Sequence, residues 1–415
     1  MTLSYIIEIL REIVRNPKTL IGARFSEKFF TRNRKMGFPD CLNFLLDMRK
    51  AALQNRLNQF FKSMGRGRIM MSEQALSKAR NHFDHSPFVK MVREVVAKEY
   101  SGKFPLPTWN GLHVLADDGT YLLLPKTKEL KEVFGTRGEK DDCVSAGASV
   151  LYDVLHGWVL DPSITNANMN EREECKKHID FLCGELPHIA EKSIILLDRG
   201  YPSLDMIQKI QESGVKFLAR CNSQFLSEIN NAPLGDSVAT LKNGVSVRVI
   251  KFKLPSGEIE VLISNLFDLP ESLFPELYSL RWGIEVAYFR LKQELCVEKF
   301  SGKTGNSIRQ DFWAAMVLLN AVAVVQKEAD AAVQERQKSK SVKHQNRART
   351  SGVIVTLRDR FIFAVLSGKK RFMSLEMKRV IKAMAREVSP VRPGRSYPRN
   401  FKQNYFANHN LKSHL

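Results

Sequence analysis

Four side chains near position 285 offer the most chemistry in this sequence: Tyr278, Arg281, Glu285 and Lys292, within LYSLRWGIEVAYFRLKQEL. An α-helix turns about 100° per residue, which places all four within a wedge of roughly 60° on one helix. That narrow face would carry a phenol, a guanidinium, a carboxylate and an ammonium. A carboxylate flanked by cationic and aromatic groups suits a metal ion facing a phosphodiester. Two further acids extend the set. Asp198 follows the apolar run SIILL, where the carboxyl end of a central strand opens onto a crevice. Asp118 closes an earlier strand-like stretch, NGLHVLAD. Two-metal phosphoryl transfer needs carboxylates that converge from separate elements onto ions about 3.5–4 Å apart. Two strand-end aspartates and a helical glutamate in a basic chain answer that need. Each also has a plainer reading, as an Asp-Gly turn, a helix cap or an i,i+4 Arg–Glu pair. Asp117 precedes Asp118, so the first ligand position is open by one residue.

The elements that would hold these residues can be read from periodicity. A second stripe on the same helix, Leu277, Leu280, Ile284, Ala287, Leu291 and Leu295, lies about 110° from the polar row and predicts burial against a core. Residues 1–100 read as a helical domain whose basic residues, Arg24, Arg32, Arg34, Lys35, Arg49, Lys50, Arg56 and Lys62, would meet DNA phosphates. From Thr108 the pattern changes to strands, with a turn expected at Asp118-Gly119-Thr120 and a strand pair around Asp153. The segment EECKKHIDFLCGEL predicts a solvated helix, and another helix follows Asp198. Strand–helix alternation over residues 101–330 indicates an α/β core, with a β-rich insertion at about 205–268. Residues 310–327 predict a long helix returning to that core. Residues 331–415 read as a basic helical C-terminal region for DNA contact or dimerisation, opening on a mobile polar run (Arg336, Lys338, Lys340, Lys343, Arg347, Arg349). The final NYFANHNLKSHL has no reading.

Composition narrows the partner. The 415 residues carry 64 Lys and Arg against 44 Asp and Glu, a net charge of +20. Such an excess points to a polyanion. The longest apolar run, residues 313–325, is interrupted by Asn320 and is too short to span a bilayer, so nucleic acid is expected and a membrane is not. Six scattered cysteines without a C-x-x-C pair fit a reducing cytoplasm, and Cys175, His178 and Cys183 lack a second ligand pair at zinc-finger spacing. Gly302-Lys303-Thr304 fails the P-loop pattern because Val297 stands where it requires glycine. No G-x-S-x-G supports a serine hydrolase.

The chain resembles the DDE transposases of bacterial insertion sequences, in the insertion-sequence-four group marked by Y-x2-R-x3-E-x6-K. Tyr278, Arg281, Glu285 and Lys292 match that spacing at every position. DGTYLLLP matches the group's first acid region through Asp118, and LLDRGYPS the second through Asp198. Segments 30–50, 72–88 and 300–314 are similar to other regions of the group, so the resemblance covers most of the chain. It implies a ribonuclease-H-like fold in which Asp118, Asp198 and Glu285 are the catalytic, metal-binding triad for two Mg²⁺ ions, with Mn²⁺ substituting. It implies cleavage at terminal inverted repeats and joining of 3′-hydroxyls to target DNA by a homodimer in a bacterial, nucleoid-associated cytoplasmic setting. Arg281 and Lys292 would hold phosphates and Tyr278 would contact DNA near the cleaved end. Trp282 or Tyr288 would stack a flipped base in members that pass through a hairpin. The alternative is an inactive or regulatory copy that binds DNA without cutting.

Overall fold

The computed structural model describes residues 1–47, 49, 51–138, 143–222, 225–338, 344–366 and 370–391. Lys50, Lys340, Lys343 and the closing NYFANHNLKSHL lie outside the described residues. Contacts divide the chain into two compact units, Val96–Arg290 and Met1–Val95 with Leu291–Leu415.

The unit Val96–Arg290 is built on β-branched and leucine-rich runs that pair as strands: β1 (His113–Leu123), β2 (Thr136–Arg137), β3 (Cys143–Asp153), β4 (Trp158–Thr165), β5 (Ser193–Leu197), β6 (Lys216–Cys221), β7 (Gly235–Thr240), β8 (Ser246–Lys253) and β9 (Ile259–Ser264). Among the described residues these nine form one sheet in the order β2-β3-β1-β5-β6-β9-β8-β7, with β4 also on β3. β4, β3 and β1 run antiparallel, and β1, β5 and β6 run parallel. Every residue of β5 is buried, as its unbroken apolar run requires of a strand covered on both faces. The segment expected as a β-rich insertion opens with a helix, Leu204–Ser213, and with β6, the third of the parallel strands. β7, β8 and β9 then extend the same sheet antiparallel.

The turn expected at Asp118-Gly119-Thr120 is absent. β1 runs straight through it, pairing Asp118 with Val150, Gly119 with Ser149 and Thr120 with Ala148. Continuous pairing with an equally long β3 overrides the local Asp-Gly preference. The glycine serves close packing instead: a Cβ there would stand 2.6 Å from Glu171 Oε1 and 2.8 Å from Met169 Cε.

The second unit is helical. Leu3–Arg15, Pro17–Ala23, Phe38–Leu45, Leu53–Ser63 and Glu73–Arg80 belong to it, and the unit boundary falls within Ser86–Glu99. The 33-residue helix Gly305–Gln337 groups with these, in place of the return to the α/β core expected from sequence. It is long and apolar enough to cross a membrane by length and composition, beyond the 13-residue run visible in sequence. Its apolar window is 89% buried, however, because Leu3–Arg15, Phe38–Leu45, Thr350–Leu366 and Lys370–Met384 pack on it. The run expected to be mobile is partly ordered: Asn346–Ala348 pairs antiparallel with Val388–Pro390, and Arg349 N–H donates to Glu387 O at 2.8 Å.

Several of the N-terminal cations are structural. Arg56 is 4% exposed, lies over the Phe44 ring and donates to the Asp47 carbonyl. Arg49 Nε donates to Asp47 Oδ1 at 2.7 Å, and Arg24 Nη1 to Glu27 O at 2.9 Å.

Candidate active site

Alternation along β1 sends Asp117 and Asp118 to opposite faces of the sheet. Asp117 is fully buried, and its Oδ2 lies 2.6 Å from His178 Nδ1 on the helix Glu171–Glu185. That helix was expected to be solvated, yet Cys175 and His178 on it are buried. Burial opposes charge on His178, but Asp117 and its neighbours raise its pKa. Asp118 is on the other face, with Oδ2 at 3.7 Å from Arg281 Nη1. The first ligand position thus has two occupants with different surroundings: one sealed in an ion pair, the other beside the signature helix.

Asp198 follows β5 directly. The β1–β5 register ends at Ala116 opposite Leu196, so continuing it by two residues sets Asp198 alongside Asp118. Its Oδ1 accepts from the Arg199 N–H at 2.8 Å and from the Tyr278 hydroxyl at 3.3 Å. Glu285 is on the helix Trp282–Phe289, and its Oε1 is 2.5 Å from Arg281 Nη2. Gly283 lets that helix approach the sheet, since a Cβ would stand 3.2 Å from Val154 Cβ. Arg281 therefore links Asp118 to Glu285, Tyr278 engages Asp198, and the charges of Tyr278 and Asp198 also act on Arg281, which brings these five sequence-predicted residues into one neighbourhood.

Lys292 stands differently. The signature segment is not one α-helix: Phe274–Ser279 and Trp282–Phe289 are α-helical, and Arg290–Glu294 is a π-turn. A wheel drawn at 100° per residue does not carry across that turn. Lys292 falls in the helical unit, half-buried, and burial lowers its pKa against the opposing charge of Glu298. Trp282 is 53% exposed. Tyr288, the other aromatic considered for base stacking, is buried and donates its hydroxyl to the Asp118 carbonyl at 2.6 Å. Its ring is committed to the core and it supports β1 instead.

Sequence reasoning missed Glu171. It opens the helix Glu171–Glu185 and sits over Gly119, and burial, then the charge of Asp117, raises its pKa, with Asp198 adding to the shift. Its only sequence signal is an acid-rich first turn, which any helix N-terminus favours. The adjacent Arg172 Nε donates to Gly200 O at 2.9 Å and ties down the loop after Asp198.

The electrostatics are those of a crowded acidic site. Burial pushes Asp118 up to about 7, against the pull of Arg281 and the Gly119 N–H. Burial and then the charge of Asp198 raise Tyr278. Arg281 is raised: burial works against it, but Tyr278 and the three carboxylates outweigh that. Because the folded protein holds the Asp118 proton more tightly than the unfolded chain does, this group favours folding below about pH 4. That contribution is lost as pH rises to about 7. In EDTA, Asp118→Asn should gain stability relative to wild type across that window, by on the order of 4 kcal/mol above pH 7. Melting curves from pH 4 to 8 measure it, and a pH-independent difference would refute the assignment.

Carboxylate oxygens are the donor type a hard divalent cation takes. Among the described residues no three His, Cys, Asp or Glu side chains already form a metal-holding group. The donor set fits such an ion in chemistry, with Arg281 and Tyr278 engaging its carboxylates.

Residues 109–321, just over half the chain, match the family described as the transposase DDE domain. The chain belongs to the DDE transposases. Transposase InsG for insertion sequence element IS4 of Escherichia coli K12 is 23% identical over 353 residues, spanning 74% of this chain and 76% of the relative. A putative transposase for element IS4SA of Synechocystis is 27% identical over 150 residues, 34% of this chain and 44% of the relative. These relatives put the transposase in the insertion-sequence-four family. A cryo-EM structure of the piggyBac transposase synaptic complex with hairpin DNA aligns with a TM-score of 0.49 and 11% identity, covering 94% of this chain and 87% of that one.

Proposed function

We propose that this transposase binds the terminal inverted repeats of its element, cleaves the DNA strands and joins the 3′-hydroxyl ends to target DNA. The observation that carries the reading is the grouping of Asp118, Asp198 and Glu285 around Arg281 and Tyr278 in one unit. The strand order β4-β3-β1-β5-β6, three antiparallel and then two parallel, supports a ribonuclease-H-like core in which β1 carries Asp118 and the end of β5 carries Asp198. Two bound Mg²⁺ ions, or Mn²⁺ in their place, would activate the attacking oxygen and stabilise the leaving 3′ oxygen.

The chain's own groups account for the rest. Asp118, Asp198 and Glu285 are the acids that would hold the ions. Arg281 keeps two of them compensated and, with Lys292, binds backbone phosphates. Tyr278 orients Asp198 and meets DNA near the cut. Trp282, exposed on the signature helix, takes an extrahelical base. The helices of residues 1–100 bind the inverted repeats, and the region after 331 serves DNA contact or pairing of two protomers, so that two ends are processed together.

The test is cleavage of duplex DNA carrying the element's own ends. Mg²⁺ should generate 3′-hydroxyl ends and excess EDTA should abolish them. Binding of those ends by folded wild type without any cutting would instead establish a regulatory copy.

A further inference from the structure

Between residues 27–36 and 70–82, within the helical unit, lies a groove of about 1560 Å³. Lys28, Arg32, Arg34, Lys35 and Lys78 line it, against a single acid, Glu27. Lys28, Arg32, Arg34 and Lys78 are exposed. Five cations on one concave surface create a potential that attracts a polyanion.

The concavity is built, not incidental. Lys35 Nζ donates across it to Met70 O at 2.9 Å. Arg66 Nη2 donates to Lys35 O at 2.5 Å, and its Nη1 lies 3.0 Å from Asp40 Oδ2. Two of the basic residues read from sequence as DNA-facing, Arg49 and Arg56, are engaged with Asp47, which concentrates the available charge here. The aromatic lining is also committed. Phe29 stacks on His82 at 3.9 Å and 12°, and Phe30 meets Phe38 and Phe83 edge-on. Rings already packed on one another make a poor platform for unpaired bases. The surface suits phosphates at fixed spacing.

We infer that this groove is where the helical unit grips one backbone of duplex DNA, with Lys28, Arg32, Arg34 and Lys78 contacting phosphates and Arg66 and Lys35 holding the walls. The inference rests on the transposase reading above and supplies its DNA-docking surface.

The experiment is fluorescence anisotropy in EDTA with the full chain and a labelled duplex bearing the element's end, repeated over a salt series. Each lost phosphate contact should reduce the salt slope by about 0.9. Arg32→Gln/Arg34→Gln should therefore flatten it by about 1.8 and weaken binding at least tenfold at about 0.1 M salt. Arg15→Gln/Lys18→Gln, exposed on the same unit outside the groove, should stay within twofold. Equal losses in both variants would mean diffuse charge and overturn the groove. So would no loss in either, or an unpaired strand bound as tightly as the duplex. Groove variants that bind like wild type, while wild type still cleaves with Mg²⁺, refute the groove alone. Wild type that neither binds nor cleaves the ends refutes the transposase reading with it.

Discussion

Glu285→Gln and Asp198→Asn should each lower strand cleavage by about a thousandfold or more, while DNA capture stays within about twofold of wild type. The expectation follows from where these acids sit. Neither is sealed in the core: the Glu285 side chain is 32% exposed and Asp198 is only partly buried, so loss of charge leaves no unpaired buried partner of large cost. Glu285→Gln keeps the volume and an oxygen that can still accept from Arg281, so the helix Trp282–Phe289 should hold its place. What disappears is the negative charge a divalent ion requires. Asp198→Asn likewise keeps an acceptor for the Tyr278 hydroxyl and the Arg199 N–H. A gel assay on end-bearing duplex, paired with anisotropy for capture and a melting curve for folding, separates the three effects. Cleavage at wild-type rate in either variant would remove that acid from the catalytic set. Asp117→Asn offers an internal contrast. It disturbs a buried pair with His178 and should show in the melting curve first.

That contrast marks how far the sequence could be read. Asp198 was legible because four consecutive apolar residues, Ile194 to Leu197, fit a short strand covered on both faces, and its end is where polar chemistry becomes possible. Glu285, Arg281 and Tyr278 were legible through spacing, which survives because Trp282–Phe289 is helical and its neighbours remain nearly so. Lys292 was not placed by the same wheel, since a π-turn changes the rotation after Arg290 and nothing in RLKQE announces it. The ambiguity between Asp117 and Asp118 could not be resolved locally. Alternation says they part, but which one meets the signature helix depends on His178, 61 residues away. Glu171 hid for a similar reason: its position over Gly119 is a tertiary fact. In the fold, strands and helices followed their periods. The Asp-Gly turn failed because propensity over three residues is weaker than a ladder of nine paired residues. The long helix Gly305–Gln337 was recognised as a core helix, but periodicity does not say whose core.

Arg80→Ala should be the most damaging single change in the helical unit, costing about 3–5 kcal/mol of stability. Arg80 is 1% exposed, and all its guanidinium nitrogens are engaged: Nε with Gln310 Oε1 at 2.9 Å, Nη1 with Ser301 Oγ at 2.7 Å, Nη2 with Ser307 O at 3.0 Å and Asp311 Oδ1 at 2.8 Å. The other Asp311 oxygen accepts from the Ser301 N–H at 2.6 Å, so one ion pair fastens the end of Glu73–Arg80 to the loop entering the long helix. Removing the cation leaves a carboxylate that is 12% exposed without its charge partner, and that desolvation penalty exceeds what the pair itself is worth. Arg80→Lys should recover only part of the loss, because an ammonium cannot supply the planar fork that reaches four partners at once. The double variant Arg80→Met/Asp311→Leu should be less destabilised than Arg80→Ala alone, since it removes both charges and restores apolar contact. Chemical denaturation of Arg80→Met, Asp311→Leu and the double variant closes the cycle that gives the coupling. A loss below about 1 kcal/mol for Arg80→Ala would show that water reaches Asp311 freely and that the pair is a surface contact.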